Sequence, residues 1–236
     1  SRRNEIDVIY DLCHFGYPDD LDPFATEFTT RFGDYCYALA RRLVGRCDRL
    51  SVTPINEPSY FAWAGGHAGL FAPHRRDCAF DLKVALVRAA LAGIEAIWSV
   101  VPDARIVNVD PVCRTVVPAH RPDLRPDVDR FNEEAVFESW DMLAGRLLPE
   151  LGGSPRHLDI MGVNYYWTNQ WEMGSEDTPL EEDDPRRWPL HRLLLDVFSR
   201  YGTDVILTET SHIGDRRAVW IGELADEIDT LIEARV

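Results

Sequence analysis

Basic residues are scarce in this chain. Its 236 residues carry 25 Lys and Arg against 40 Asp and Glu, a formal charge of −15. The arginines are scattered among acids and along helical segments, so no basic stripe of the kind a phosphate backbone demands can form, and nucleic acid is not an expected partner. Long apolar runs are missing as well: none reaches the ~18 residues that a membrane span needs. The stretch SRRNEIDVIYDL at the start lacks the basic, apolar and cleavage regions of a secretory signal. Together these absences predict a soluble, cytoplasmic protein with no membrane partner. The five cysteines (Cys13, Cys36, Cys47, Cys78, Cys113) form no CxxC pair and no metal-ligand cluster, so they read as reduced, mostly buried small hydrophobes, and no metal is expected. A nucleotide-binding loop is absent too. GGHAG at 65–69 follows a loop and has the wrong spacing for a phosphate cradle, so a nucleotide site is not supported.

What the chain does contain is alternation. With 45% hydrophobic residues it can build one large α/β domain over 1–236. Strand-like runs at 6–13, 49–55, 104–112, 158–166 and 204–209 are each followed by a helical pattern. The helices fall at 31–45 (Tyr35, Leu39 and Leu43 on one face), 77–100, 129–148, 190–201 and, after the last strand, a segment carrying Ile221, Leu224, Ala225, Ile228, Leu231 and Ile232. The helix near 190 is the most periodic: Pro189 suits its start, Leu190, Leu193, Leu194, Val197, Phe198 and Tyr201 share a face, and Gly202 can end it. Five βα units predict a parallel sheet covered by helices. The acidic run Glu181 to Asp184 reads as a solvated loop.

Such units build either an open doubly wound sheet or part of an eight-stranded β/α (TIM) barrel, and both place ligands at the carboxyl ends of the strands. There stand His14, Asn56 with Glu57, Asp110, Asn164 with Tyr166, and Glu209. Two glutamates closing two different strands suit glycosidic cleavage, where one protonates the leaving oxygen and the other attacks the anomeric carbon. Each residue also has a plainer reading. Any acidic protein has glutamates at strand ends. His14 alone is more simply a core histidine, Tyr166 simple packing, and Asn56 and Asn164 strand-end caps. Trp63, Trp167, Trp171 and Trp188 can stack on sugar faces or pack against loops, and Cys13 and Asp110 read as structural.

Four segments narrow these alternatives, because they resemble glycoside hydrolase family 1, the β-glucosidase-like enzymes of a wider clan of retaining barrel hydrolases. NEPSYFAWAGGHAGLFAPH (56–74) is similar to the family's Asn-Glu-Pro segment, and DLCHFGYP (11–18) to its third-strand signature, with Phe15 where Trp is usual and Gly16 where Asp is usual. LDIMGVNYY (158–166) resembles the sixth-strand signature and VILTET (205–210) the nucleophile strand, with Thr210 and Ser211 in place of the usual Asn-Gly. The resemblance implies a TIM barrel spanned from its third strand to its seventh helix. The first two strands and the eighth, with the first strand's sugar-binding Gln and the eighth's Trp and Glu, have no counterpart in these residues.

By matching positions, the resemblance implies that Glu57 is the general acid/base and Glu209 the nucleophile. It implies that Asn56 bonds the sugar 2-hydroxyl, that Tyr166 orients Glu209, and that His14 and Asn164 line the non-reducing subsite. The loop after the sixth strand usually shapes the leaving-group side, which favours Trp167 and Trp171 as sugar contacts. The expected activity is retaining, exo-acting hydrolysis of a small-molecule or oligosaccharide β-glycoside without cofactor or metal. The competing expectation is a catalytically silent relative that binds sugar or a protein partner.

Overall fold

The computed structural model describes residues 6–46, 49–175 and 178–233; Cys47 lies outside them. In chain order the regular elements are β1 (Ile9–Asp11), α1 (Thr26–Leu43), β2 (Ser51–Thr53), α2 (Pro58–Trp63), α3 (Ala79–Trp98), β3 (Arg105–Pro111) and β4 (Arg114–Val116). They continue with α4 (Arg125–Glu133), α5 (Glu138–Leu143), β5 (Ile160–Asn164), β6 (Gln170–Glu172), α6 (Leu190–Tyr201), β7 (Asp204–Glu209) and α7 (Arg216–Glu233). All five expected strands form, four of them shorter than their apolar runs and β7 over the whole of 204–209.

The chain divides into two compact units. The first holds the described residues up to Asp110 together with Glu138–Met161, and the second holds Pro111–Phe137 and the described residues from Gly162 onward. In the first unit the strand order is β1-β2-β3-β5. β1 pairs with β2 in parallel, Ile9 opposite Ser51 and Asp11 opposite Thr53, and β2 pairs with β3 in parallel, Val52 opposite Ile106. Parallel strands need crossovers, and α1 and α3 supply them. Phe28, Phe32, Cys36 and Ala40 form the buried stripe of α1, four residues apart on one face. Tyr35, expected inside, is instead exposed. The reason lies in α3: a Cβ on Gly93 would sit 2.8 Å from Phe32 and 2.9 Å from Cys36, so the helices meet where that side chain is missing. Leu82, Leu86, Ile94 and Ile97 of α3 are fully buried, each contributing about 1.5–3 kcal/mol by removal from water.

In the second unit the end of β5 lies beside β7. α6 buries Leu190, Leu193, Leu194 and Val197, and Gly202 ends it in the left-handed conformation. α7 buries Trp220 and Leu224, while Ile221 and Ile232, expected on its apolar face, are exposed. A short parallel pair, β4 with β6, was not foreseen; Thr115 lies opposite Trp171.

The helix expected over 129–148 does not run through. α4 stops at Glu133, a short 3-10 turn covers Ala135–Phe137, and α5 ends at Leu143. Asn132 explains where the first piece is anchored: its side-chain amide donates to Thr115 O (3.0 Å) and accepts from Thr115 N–H (2.9 Å), tying α4 to β4. The acidic run is also not simply solvated. Glu182 pairs with His212 at 2.8 Å and with Arg216, and Asp184 is held down to about 2 by hydrogen bonds from Arg186.

Candidate active site

In the first unit, chain geometry at the strand ends places Asn56 and Glu57. Beyond β2 the backbone N–H of Asn56 donates to Cys13 O (2.9 Å), and that of Glu57 donates to Val109 O (3.0 Å), so this stretch is laced to the ends of both neighbouring strands. Glu57 itself is left-handed, with φ 46° and ψ 60°. A non-glycine residue pays about 1–2 kcal/mol for that conformation, so it persists because its surroundings hold it. Pro58 then opens α2, and Phe61 N–H closes the first turn onto Glu57 O at 2.8 Å. Glu57 is buried, at 7% exposure. Burial, and secondarily the charge of Glu57, pushes the Tyr60 hydroxyl pKa up.

Asn56 is buried and its Nδ2 has no hydrogen-bond partner. Leaving such a donor unsatisfied costs about 1–3 kcal/mol, which a bound hydroxyl would relieve. His14 is not a core histidine: half its side chain is exposed, and Nδ1 lies 2.6 Å from Asp11 Oδ2. Phe15 packs edge-on to Tyr60 and Phe61, and Trp63 stacks on Tyr60.

Asp110, read from sequence as structural, is more closely engaged than any of these. It has no exposed surface. Its carboxylate accepts from Ser59 N–H (3.1 Å), from Ser59 Oγ (2.6 Å) and from Ser139 Oγ. Burial pushes its pKa up to about 6, against the opposing pull of Ser139, Ser59 and the Lys83 charge. The residue type at a strand end was the only sequence signal for it.

In the second unit, β5 and β7 end together. Tyr165 N–H donates to Glu209 O (3.0 Å), and the Tyr166 hydroxyl donates to Glu209 Oε2 (2.8 Å). Tyr166 is itself fixed, since its N–H donates to Asn169 Oδ1 and Asn169 Nδ2 donates to Val112 O. Asn164, fully buried, accepts at Oδ1 from Thr208 Oγ1 at 2.7 Å. A phenol donating to a half-buried carboxylate fixes one of its oxygens and limits its rotation.

The two favoured tryptophans are half-buried, each against another ring. Trp167 stacks on His212 with ring centroids 4.9 Å apart, and Trp171 meets Phe131 edge-on, its buried Nε1 lacking a partner. Trp188 lies between the guanidinium groups of Arg114 (4.1 Å) and Arg192 (3.4 Å). Thr210, which replaces an Asn of the resembled family, accepts from Trp220 Nε1 (2.9 Å). Two cavities in this unit, about 270 and 350 Å³, both reach Trp188, but neither is lined by Tyr166 or Glu209. The strand-end geometry is therefore the better guide to the carboxylates. Among the described residues no group of three or more His, Cys, Asp and Glu is placed to hold a metal ion, and no helix is long and apolar enough to cross a membrane.

Parallel strands and the helices that cover them are the β/α-barrel architecture over the span seen here, and the solved structures that superpose on it include glycosidases. SghA from Agrobacterium tumefaciens superposes with a TM-score of 0.74 at 19% identity, covering 99% of this chain and 63% of that one. SghA has also been solved with its substrate analogue salicin. A β-glycosidase from Pyrococcus horikoshii matches with TM-score 0.72 and 19% identity over 95% of this chain and 58% of its own. A Thermotoga maritima family 1 glycoside hydrolase bound to a transition-state mimic matches with TM-score 0.67 and 18% identity over 90% and 57%. The fold resemblance read from the motifs is thus found, over about six tenths of the length of those enzymes. No protein-family model and no curated protein matches the sequence.

Proposed function

We propose that this chain carries most of the catalytic apparatus of a retaining β-glycoside hydrolase, with Glu209 as nucleophile and Glu57 as general acid/base. The observation that carries the reading is the Tyr166 hydroxyl donating to the strand-end carboxylate of Glu209 at 2.8 Å. In the first step a Glu209 oxygen attacks the anomeric carbon while Glu57 gives its proton to the departing glycosidic oxygen. In the second, Glu57 takes a proton from water, which attacks the anomeric carbon and frees Glu209. The Asn56 amide, with its donor unpaired inside the protein, supports a contact to the sugar 2-hydroxyl that strengthens as positive charge develops at the neighbouring carbon. His14, Asn164, Trp167 and Trp171 complete the proposed sugar-contacting set. The salicin complex of SghA, a fold neighbour, supports a β-glucoside as substrate class. The free thiols of Cys13, Cys36 and Cys78 support a reducing cytoplasm.

The test is Glu209→Ala. Turnover of aryl β-glycosides should be lost, and added azide or formate should restore product of inverted anomeric configuration by filling the space of the missing carboxylate. Unchanged turnover in this variant would remove Glu209 from its role.

A further inference from the structure

We propose that Asp110 is a positioning residue that holds the Glu57 turn in the geometry for proton transfer. The proposal rests on the reading of Glu57 as acid/base and extends it to a residue of β3. Two adjacent residues of that strand grip the turn on both sides of Pro58. Val109 O takes the N–H of Glu57, and the Asp110 carboxylate takes both the N–H and the hydroxyl of Ser59. Between them the proline ring fixes φ, so the only residue left to adjust is Glu57, held in the left-handed conformation. Ser139 of α5 donates to Asp110 Oδ2, the oxygen that also takes the Ser59 hydroxyl. The charged groups around it are Lys83 of α3 and its partner Glu138 of α5, 2.7 Å apart.

A purely architectural anchor would not need this chemistry. A buried carboxylate carries a desolvation cost that an apolar contact of equal size avoids. What the carboxylate alone supplies is a bidentate acceptor that fixes an N–H and an O–H of one residue at once, two positions from the proposed proton donor. Ser59 and Asp110 therefore set where the Glu57 carboxyl points, while neither touches the sugar.

The experiment separates positioning from folding by the leaving group. In the full chain, kcat/KM is measured for a phenyl β-glycoside, which needs protonation to depart, and a 2,4-dinitrophenyl β-glycoside, which does not. Asp110→Asn and Ser59→Ala should each lower kcat/KM about tenfold or more on the phenyl substrate while changing the dinitrophenyl substrate less than about threefold. Glu57→Gln, measured alongside, should show the same selectivity more strongly. If Asp110→Asn does not fold, Ser59→Ala carries the test. Equal losses on both substrates, or none, overturn the role of Asp110 when Glu57→Gln is selective. A Glu57→Gln variant without selectivity, or a wild-type chain without turnover, overturns the acid/base reading and the proposal with it.

Discussion

Replacing Asp110 with Asn should stabilise the protein above pH 6 relative to wild type, by an amount the structure sets. Asp110 is fully buried, and its pKa is raised from 3.8 to about 6, chiefly by desolvation. The folded state therefore holds this proton more tightly than the unfolded chain does. Stability attributable to the group is highest below the unfolded pKa and falls as pH rises from about 4 to about 6. A rise of about two pKa units corresponds to roughly 3 kcal/mol at 1.36 kcal/mol per unit. Asparagine keeps an acceptor for Ser59 N–H and does not titrate. The pull of the Lys83 charge on the carboxylate, which asparagine does not feel, is already contained in that net rise. Urea unfolding of wild type and Asp110→Asn between pH 4 and 8 would measure it. The variant should gain about 3 kcal/mol on wild type across that range, with most of the change below pH 6.5. A difference that does not vary with pH would refute the argument, because the buried carboxylate would then cost nothing to ionise. A gain in stability with a loss of leaving-group assistance is the expected signature of a group kept for function.

Other perturbations follow from the same geometry. Tyr166→Phe removes one hydrogen bond to a carboxylate, worth about 1.5–3 kcal/mol, so kcat/KM on aryl β-glycosides should fall about 10- to 100-fold with the fold intact by circular dichroism. A change under twofold would mean that the Tyr166 contact does not support the nucleophile. Gly66→Ala should destabilise strongly, since a Cβ there would lie 2.8 Å from Ala79 Cα and 2.9 Å from Ala79 N, backbone atoms that cannot swing away. A melting temperature within a degree or so of wild type would contradict that. Phe28→Ala, at a side chain 2% exposed, should cost about 3–5 kcal/mol in urea unfolding, and a loss below about 1 kcal/mol would mean that the α1 stripe is not a core.

The order of strands and helices was legible because apolar periodicity survives wherever one face is buried, as in Leu190, Leu193, Leu194 and Val197 of α6. The placement of Glu57 and Glu209 at strand ends was legible for the same reason. Periodicity failed where a single long-range contact decides. The break between α4 and α5 follows from Asn132 bonding Thr115, and the face of α1 follows from the missing side chain at Gly93, neither visible in the local pattern. The ion pairs of Glu182 and Asp184 were hidden in what looked like a charged loop, since their partners are set by folding. Asp110 was seen at a strand end and read as structural, because its engagement lies in Ser59 and Ser139, 51 and 29 positions away.

The central claim is that Glu209 forms a covalent bond to the sugar. Incubating the chain with a 2-deoxy-2-fluoro-β-glucoside bearing an activated leaving group slows the second step more than the first, so the intermediate should accumulate. Intact mass should rise by one fluoroglycosyl unit per chain, and fragmentation of the labelled peptide should place it on Glu209. Label on another residue, or turnover of aryl β-glycosides with no label at all, would contradict the account.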